Sequence, residues 1–146
     1  RLTEARLHAD PSTQEEIDAL KREIERPLLA LTPSLPRKAF FAGTAGTVTT
    51  VAAIDQGMVL YDPDKINGYS VPQKTVEAIL AKLMSLSREE RCSIPGLERG
   101  REDLIIPGLL IILVLMEQCG YDTIHVSDYG LREGVLLDRY QKKTNG

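Results

Sequence analysis

Gly43-Thr44-Ala45-Gly46-Thr47, running straight into Val48-Thr49-Thr50-Val51-Ala52-Ala53, is the stretch on which the reading of this chain turns. Just before it, Lys38-Ala39-Phe40-Phe41-Ala42 reads as a short strand, because Pro33 and Pro36 end any helix upstream and the residues that follow are aromatic or small. Just after it, residues 48–54 are rich in small and β-branched side chains, a composition that fits helix or strand. The glycines between favour the order strand, tight turn, helix start. Glycine lets a backbone turn sharply and come close to a ligand, and free amides at a helix start carry the partial positive charge that suits phosphate. Thr44 and Thr47 can add hydroxyl hydrogen bonds. A plainer account is that Gly43 and Gly46 only let strand and helix pack closely at Ala52 and Ala53. No lysine follows, so the string is not a Walker loop.

Upstream, Ser12 followed by Glu15 has the capping-box pattern, and Ile17, Leu20, Ile24 and Leu28 recur at helical spacing, with Pro27 expected to weaken the last turn. Downstream, Tyr61-Asp62-Pro63-Asp64-Lys65-Ile66-Asn67-Gly68 is dense in turn formers and reads as an exposed connection. Val76, Ile79, Leu80 and Leu83 mark an amphipathic helix, and Ser87-Arg88-Glu89-Glu90 opens a short one. After the break at Ile94-Pro95-Gly96, a long apolar helix is expected from Glu98 or Gly100 to Gly120. Thr123-Ile124-His125-Val126 reads as a brief buried strand, and Ser127-Asp128 as the cap of a last helix from Leu131 to Tyr140, with residues 142–146 frayed. This order implies an α/β layer arrangement. Two strands make too small a sheet to stand alone, so further strands are expected upstream of Arg1 or from a partner.

With 146 residues the chain is long enough for one domain with its own core, and no internal repeat is visible. Its net charge of -3 is spread along the sequence and leaves no basic stripe, which argues against a nucleic-acid partner. The two cysteines, Cys92 and Cys119, lack zinc-site spacing and fit a reducing cytoplasm. Residues 105–116 are the most apolar segment and fall short of the ~18 to 20 residues needed to cross a bilayer, so no membrane span is expected. The opening RLTEARLHAD has neither a signal-peptide pattern nor an initiating methionine, and the chain is expected to be a fragment.

A second candidate for chemistry is Gly100-Arg101-Glu102-Asp103 at the expected head of the apolar helix. Acidic residues in a first turn answer the helix dipole and need no function, whereas Arg101 at that positive end calls for an anion or a carboxylate. A third is Ser127-Asp128-Tyr129-Gly130-Leu131-Arg132-Glu133-Gly134, which a strand end, a cap and a surface ion pair explain. His8 and His125 have no partners spaced for a metal site or a triad, and no G-x-S-x-G string occurs.

Taken in order, residues 43–53, then Arg101-Glu102-Asp103-Leu104-Ile105-Ile106-Pro107-Gly108, then residues 127–135 resemble the exopolyphosphatase / guanosine pentaphosphate phosphohydrolase family. The resemblance runs from Arg1-Leu2-Thr3-Glu4, at a strand end, to Leu137. It implies an actin-like (ribonuclease H-like), ATPase-type architecture with helices on a mixed sheet, this chain being most of the second, C-terminal domain and lacking that domain's first strands. It also implies removal of the terminal phosphate of inorganic polyphosphate, or of the 5′ terminal phosphate of guanosine pentaphosphate, with magnesium. Carried over residue by residue, the phosphate-binding set is Gly43, Thr44, Ala45, Gly46 and Thr47, with Arg101 and Asp103 on the rim. No catalytic residue and no metal ligand is assigned to this chain, since the general-base glutamate belongs to the family's first domain. The expected partners are polyphosphate or guanosine polyphosphates and that first domain, with a homodimer left open. Ala42 and Ala45 stand where many relatives have glycine and serine, which alters the hydrogen bonds available from the loop. A noncatalytic sensor of guanosine tetra- or pentaphosphate uses the same cleft and is the alternative from another functional class.

Overall fold

The structure, a computed structural model, describes residues 7–31 and 39–144. Its elements are α1 (Gln14–Leu31), β1 (Ala42–Thr44), α2 (Gly46–Asp55), α3 (Pro63–Ile66), β2 (Ser70–Pro72), α4 (Gln73–Met84), α5 (Arg88–Arg91), α6 (Ile105–Cys119), β3 (Thr123–Ser127) and α7 (Leu131–Thr144).

The described sheet has the order β1-β3-β2 and is mixed. β1 runs parallel to β3 with Gly43 opposite Val126 and Thr44 opposite Ser127, while β2 is antiparallel to β3 with Val71 opposite Ile124. In β3, Ile124 and Val126 are buried and their neighbours are less so, the period-2 signature of a strand with one covered face. That face meets α2, whose Val48 through Ala53 are all buried. Behind α2 stands α6, apolar on nearly every side because α1, α2 and α4 all pack on it. None of the helices among the described residues is long and apolar enough to cross a membrane.

Several boundaries differ from the sequence reading, each for a local reason. The capping box is Thr13 with Glu16, one residue later than Ser12 with Glu15: the Thr13 amide donates to Glu16 at 3.0 Å and the Glu16 amide to Thr13 Oγ1 at 3.3 Å. Pro27 lies inside α1, which continues to Leu31. The expected strand at residues 38–42 survives only at its end, since β1 begins at Ala42 and the Phe41 carbonyl adds one more bond by accepting from the His125 amide. Lys38, Pro33, Pro36 and the stretch from Arg1 to Glu4 lie outside the described residues. The connection at residues 61–68 contains the one-turn α3, capped by Asp62 and anchored by a fully buried Ile66, and its exit runs into β2, the strand missing from the sequence reading. Ser127 and Asp128 do not cap α7; Ser127 Oγ donates to the Tyr129 carbonyl, and the Glu133 carboxylate accepts from the Gly130 amide at 2.7 Å. α7 extends to Thr144 and buries none of its side chains.

The largest correction concerns α6, which starts at Ile105 and not at Glu98 or Gly100. Residues 98–104 form an irregular segment held from two sides. Gly96, at φ +88°, lies so close to α2 that an added Cβ would meet the Ala53 and Ile54 backbone. Glu102, 5 % exposed, turns its carboxylate back onto the Gly100 amide, both oxygens at 2.9 Å. That amide holds the Glu102 carboxyl below the ordinary carboxylate range. Glu102 thus shapes a turn and does not answer a helix dipole.

Candidate functional site

The stretch Gly43–Thr47 is a strand end, one connecting residue and a helix start. Only Ala45 separates β1 from α2, and reversing the chain over one residue puts it at φ 71°, ψ 174°. That region is nearly reserved for glycine and costs about 1–3 kcal/mol in a residue with a Cβ. α2 then starts without a side-chain cap and without an acidic residue in its first turn. Its leading amides therefore lack the carboxylate or hydroxyl that ordinarily satisfies them.

These amides open into a cavity of about 750 Å³ lined by Thr44, Ala45, Gly46 and Arg101 among others. Gly46 is required there by contact: a Cβ on it would run into the Arg101 guanidinium, with Nη2 at 2.8 Å and Nη1 and Cζ closer. Arg101 arrives from the 98–104 segment, with Nε bonded to Glu98 Oε2 at 2.7 Å. Across the cavity, Thr44 Oγ1 donates to the Tyr129 carbonyl at 3.0 Å, tying the end of β1 to the turn after β3. Tyr61 Oη donates to Asp128 Oδ1 at 2.5 Å. Burial, reinforced by the Asp128 carboxylate, pushes the Tyr61 phenol up to about 12, so it stays a donor at neutral pH.

The electrostatics of the cavity follow from these pairings. Its acidic side chains are Glu98, Asp128 and Glu133, and each already accepts a hydrogen bond from within the chain, from Arg101, Tyr61 and the Gly130 amide respectively. Neither terminal nitrogen of Arg101 has an acceptor among the described residues. The remaining wall is mixed: Met58, Val59 and Leu97 lie beside the Tyr61 ring, and Thr49, Thr50 and Arg132 join them, with Arg132 Nη2 3.7 Å from Glu133 Oε1. Uncapped amides and a guanidinium edge on one side of a cavity whose carboxylates are already paired have the chemistry to receive an oxyanion.

From the third candidate, which the sequence explains as a strand end, a cap and an ion pair, Asp128, Gly130, Leu131, Arg132 and Glu133 also line the cavity. Of the phosphate-binding set proposed from the sequence, the cavity gathers Thr44, Ala45, Gly46 and Arg101 and leaves three facing elsewhere. Gly43 packs inward, where a Cβ would lie 2.8 Å from Ile124 and 2.9 Å from Val48. The Thr47 side chain lies against Gly108 of α6, so only its backbone amide belongs to the helix start. Asp103 pairs with Arg88 at 3.0 Å, beside a separate polar pocket that also holds Asp10 and Arg91. Glu98, Tyr61 and Gly96 were missed by the sequence reading. The glutamate three residues before Arg101 was the one available signal for any of them.

Comparison with known proteins places the chain in a family. A model of the Ppx/GppA phosphatase family matches residues 1–143. The chain belongs to that family. Exopolyphosphatase 2 of Mycobacterium tuberculosis is 30% identical over 143 residues, which is 94% of this chain and 45% of that protein. A bifunctional 3-dehydroquinate synthase/phosphatase of Fusobacterium nucleatum is 30% identical over 102 residues, 69% of this chain and 15% of that protein. Among solved structures, the Ppx/GppA family member of Aquifex aeolicus superposes with a TM-score of 0.91 at 31% identity, covering 97% of this chain and 46% of that one. The chain thus spans a little under half the length of its exopolyphosphatase and Aquifex relatives. The α/β, actin-like class inferred from the sequence is the class of these structures, and the small mixed sheet carrying helices agrees with it.

Proposed function

We propose that this Ppx/GppA chain supplies one wall of the phosphate-binding cleft of an exopolyphosphatase, most of the second domain of a cytoplasmic enzyme about twice its length. The observation that carries this reading is the Arg101 guanidinium lying against Gly46 at the uncapped start of α2. In this reading the phosphoryl oxygens of a polyphosphate end are met by the leading amides of α2, with Thr44 at the margin, and by the terminal nitrogens of Arg101. Phosphoryl transfer depends on positioning and charge neutralisation, which such a wall provides without a reactive side chain of its own. A glutamate of the remaining domain activates the water. Among the described residues no three His, Cys, Asp or Glu side chains gather as a metal site. Magnesium, which is commonly held by one or two carboxylates together with substrate phosphates and waters, would neutralise phosphate charge in the cleft.

A nucleotide substrate is the second reading, favoured by the apolar part of the cavity, where Met58, Val59 and Tyr61 offer a surface for a base that polyphosphate lacks. The test is phosphate release by the full-length protein from polyphosphate and from guanosine pentaphosphate, with magnesium present. Faster release from polyphosphate supports the first reading, faster release from the nucleotide the second. Binding of guanosine polyphosphates without release from either substrate would leave a sensor. The 146-residue chain alone is expected to release no phosphate, and turnover that survives repurification would overturn the reading of it as one wall.

A further inference from the structure

Arg101 could present either of two edges to an oxyanion, the side made by Nε with one terminal nitrogen or the end made by the two terminal nitrogens. Glu98 has already taken the first. Its Oε2 accepts from Nε at 2.7 Å, and the end that remains is the part of the guanidinium lying against Gly46. The pair sits on a tethered segment: Gly96 is pressed against the α2 backbone and Glu102 holds the Gly100 amide. Glu98 and Arg101 side chains are 69% and 37% exposed, and ion pairs in such surroundings add little to folding stability. The consequence of the pair is therefore where it leaves the guanidinium.

We infer that Glu98 is a positioning residue for Arg101, holding the guanidinium by Nε against Gly46 so that its two terminal nitrogens and the leading amides of α2, side by side, meet one phosphoryl group together. This rests on the cleft reading above and assigns Glu98 no contact with substrate. Its carboxylate also offsets the arginine charge, so the recognition is directional and not a matter of excess positive potential.

The experiment is a double-mutant cycle in the full-length protein, with KM and kcat measured on its preferred phosphate substrate at fixed salt. Glu98→Ala should raise KM roughly 5- to 10-fold with kcat little changed, the pattern of lost binding and not of lost chemistry. Glu98→Gln, whose amide oxygen can still accept from Nε, should stay within about 3-fold of wild type. With Arg101→Ala in place, Glu98→Ala should have no further effect, because nothing remains to be oriented. Two results overturn the inference alone: KM falling in both Glu98 variants, which makes the carboxylate a competitor of the anion, or an undiminished Glu98→Ala effect in the Arg101→Ala background, which makes it a loop scaffold. If Arg101→Ala by itself leaves KM unchanged, the cleft reading fails and the inference goes with it.

Discussion

The connection between α5 and α6 builds two arginine sites, and they differ in what they leave undone. At its beginning Arg91, 4 % exposed, gives Nε to the Leu83 carbonyl at 2.9 Å and Nη1 to the Glu102 carbonyl at 3.3 Å, while its buried Nη2 has no hydrogen-bond partner and only the Asp10 carboxylate at 4.0 Å. Burial depresses its pKa, the mark of a cation held in place by the fold. At the far end Arg101 is half-buried, is fixed through Nε alone, and keeps its terminal edge unengaged toward a cavity. The first arginine closes the backbone of α4 onto the segment before α6. The second has been oriented and left incomplete. In this chain burial and main-chain acceptors distinguish a structural arginine from the one proposed for recognition, where residue type and sequence neighbours do not.

The sharpest way to break the comparison is at Gly46. Gly46→Val places a branched side chain where the Arg101 guanidinium lies, and kcat/KM of the full-length protein should fall at least about 100-fold, ~3 kcal/mol, while Lys82→Ala on the exposed face of α4 leaves it unchanged. A folded valine variant with wild-type kinetics would reduce the turn to packing. At the other site, Arg91→Met should lower unfolding free energy in urea by about 2–3 kcal/mol, because it removes the donor to the Glu102 carbonyl and the side-chain tie from there to Leu83. Arg101→Ala in the same titration should cost less than about 0.5 kcal/mol. Equal losses at the two sites would erase the distinction.

A smaller effect sharpens the link between the sites, since Glu102 serves both: its carbonyl accepts from Arg91 and its carboxylate sets the turn before Arg101. Because the Gly100 amide depresses its pKa from 4.5, the folded chain binds fewer protons there than the unfolded chain. Its contribution is therefore present above about pH 4.5 and lost as pH falls through the folded value. Glu102→Gln should lower stability at neutral pH by about 1 kcal/mol and flatten the acid limb of a stability profile measured from pH 3 to 7. A change of opposite sign is expected from Ala45→Gly, which relieves the φ 71° strain and gives part of the gain back as unfolded-state entropy. A net stabilisation of about 0.5–1 kcal/mol by thermal melting, with weaker substrate binding, would identify the strain as what holds the α2 amides in place.

How much of this was legible in the sequence depended on how local each determinant is. The helix from Gln73 to Met84 and the short one capped by Ser87 with Glu90 announce themselves through i, i+3, i+4 burial and a capping box, and both stand where the pattern put them. The start of α6 was misread because Glu102 and Asp103 look like first-turn acids, and nothing short of three dimensions reveals that Glu102 bends back to Gly100. β2 escaped because three residues ending in proline carry no alternation, and only pairing with β3 makes them a strand. In the site, Gly46 and Arg101 could be named as candidates, but that the second lies on the first could not. They are 55 residues apart in sequence, brought together by Gly96 seating on α2.

The seat of Gly96 also sets a tempo. A loop with no space between its backbone and a helix cannot swing aside as a lid does, so the microsecond-to-millisecond opening typical of lids is not available to this wall. What moves at Arg101 is a side chain, and partly exposed side chains change rotamer in picoseconds to nanoseconds. Residence of a bound phosphate would then be governed by the depth of its electrostatic well on this face, and any slower gating step in turnover would have to come from the surface opposite.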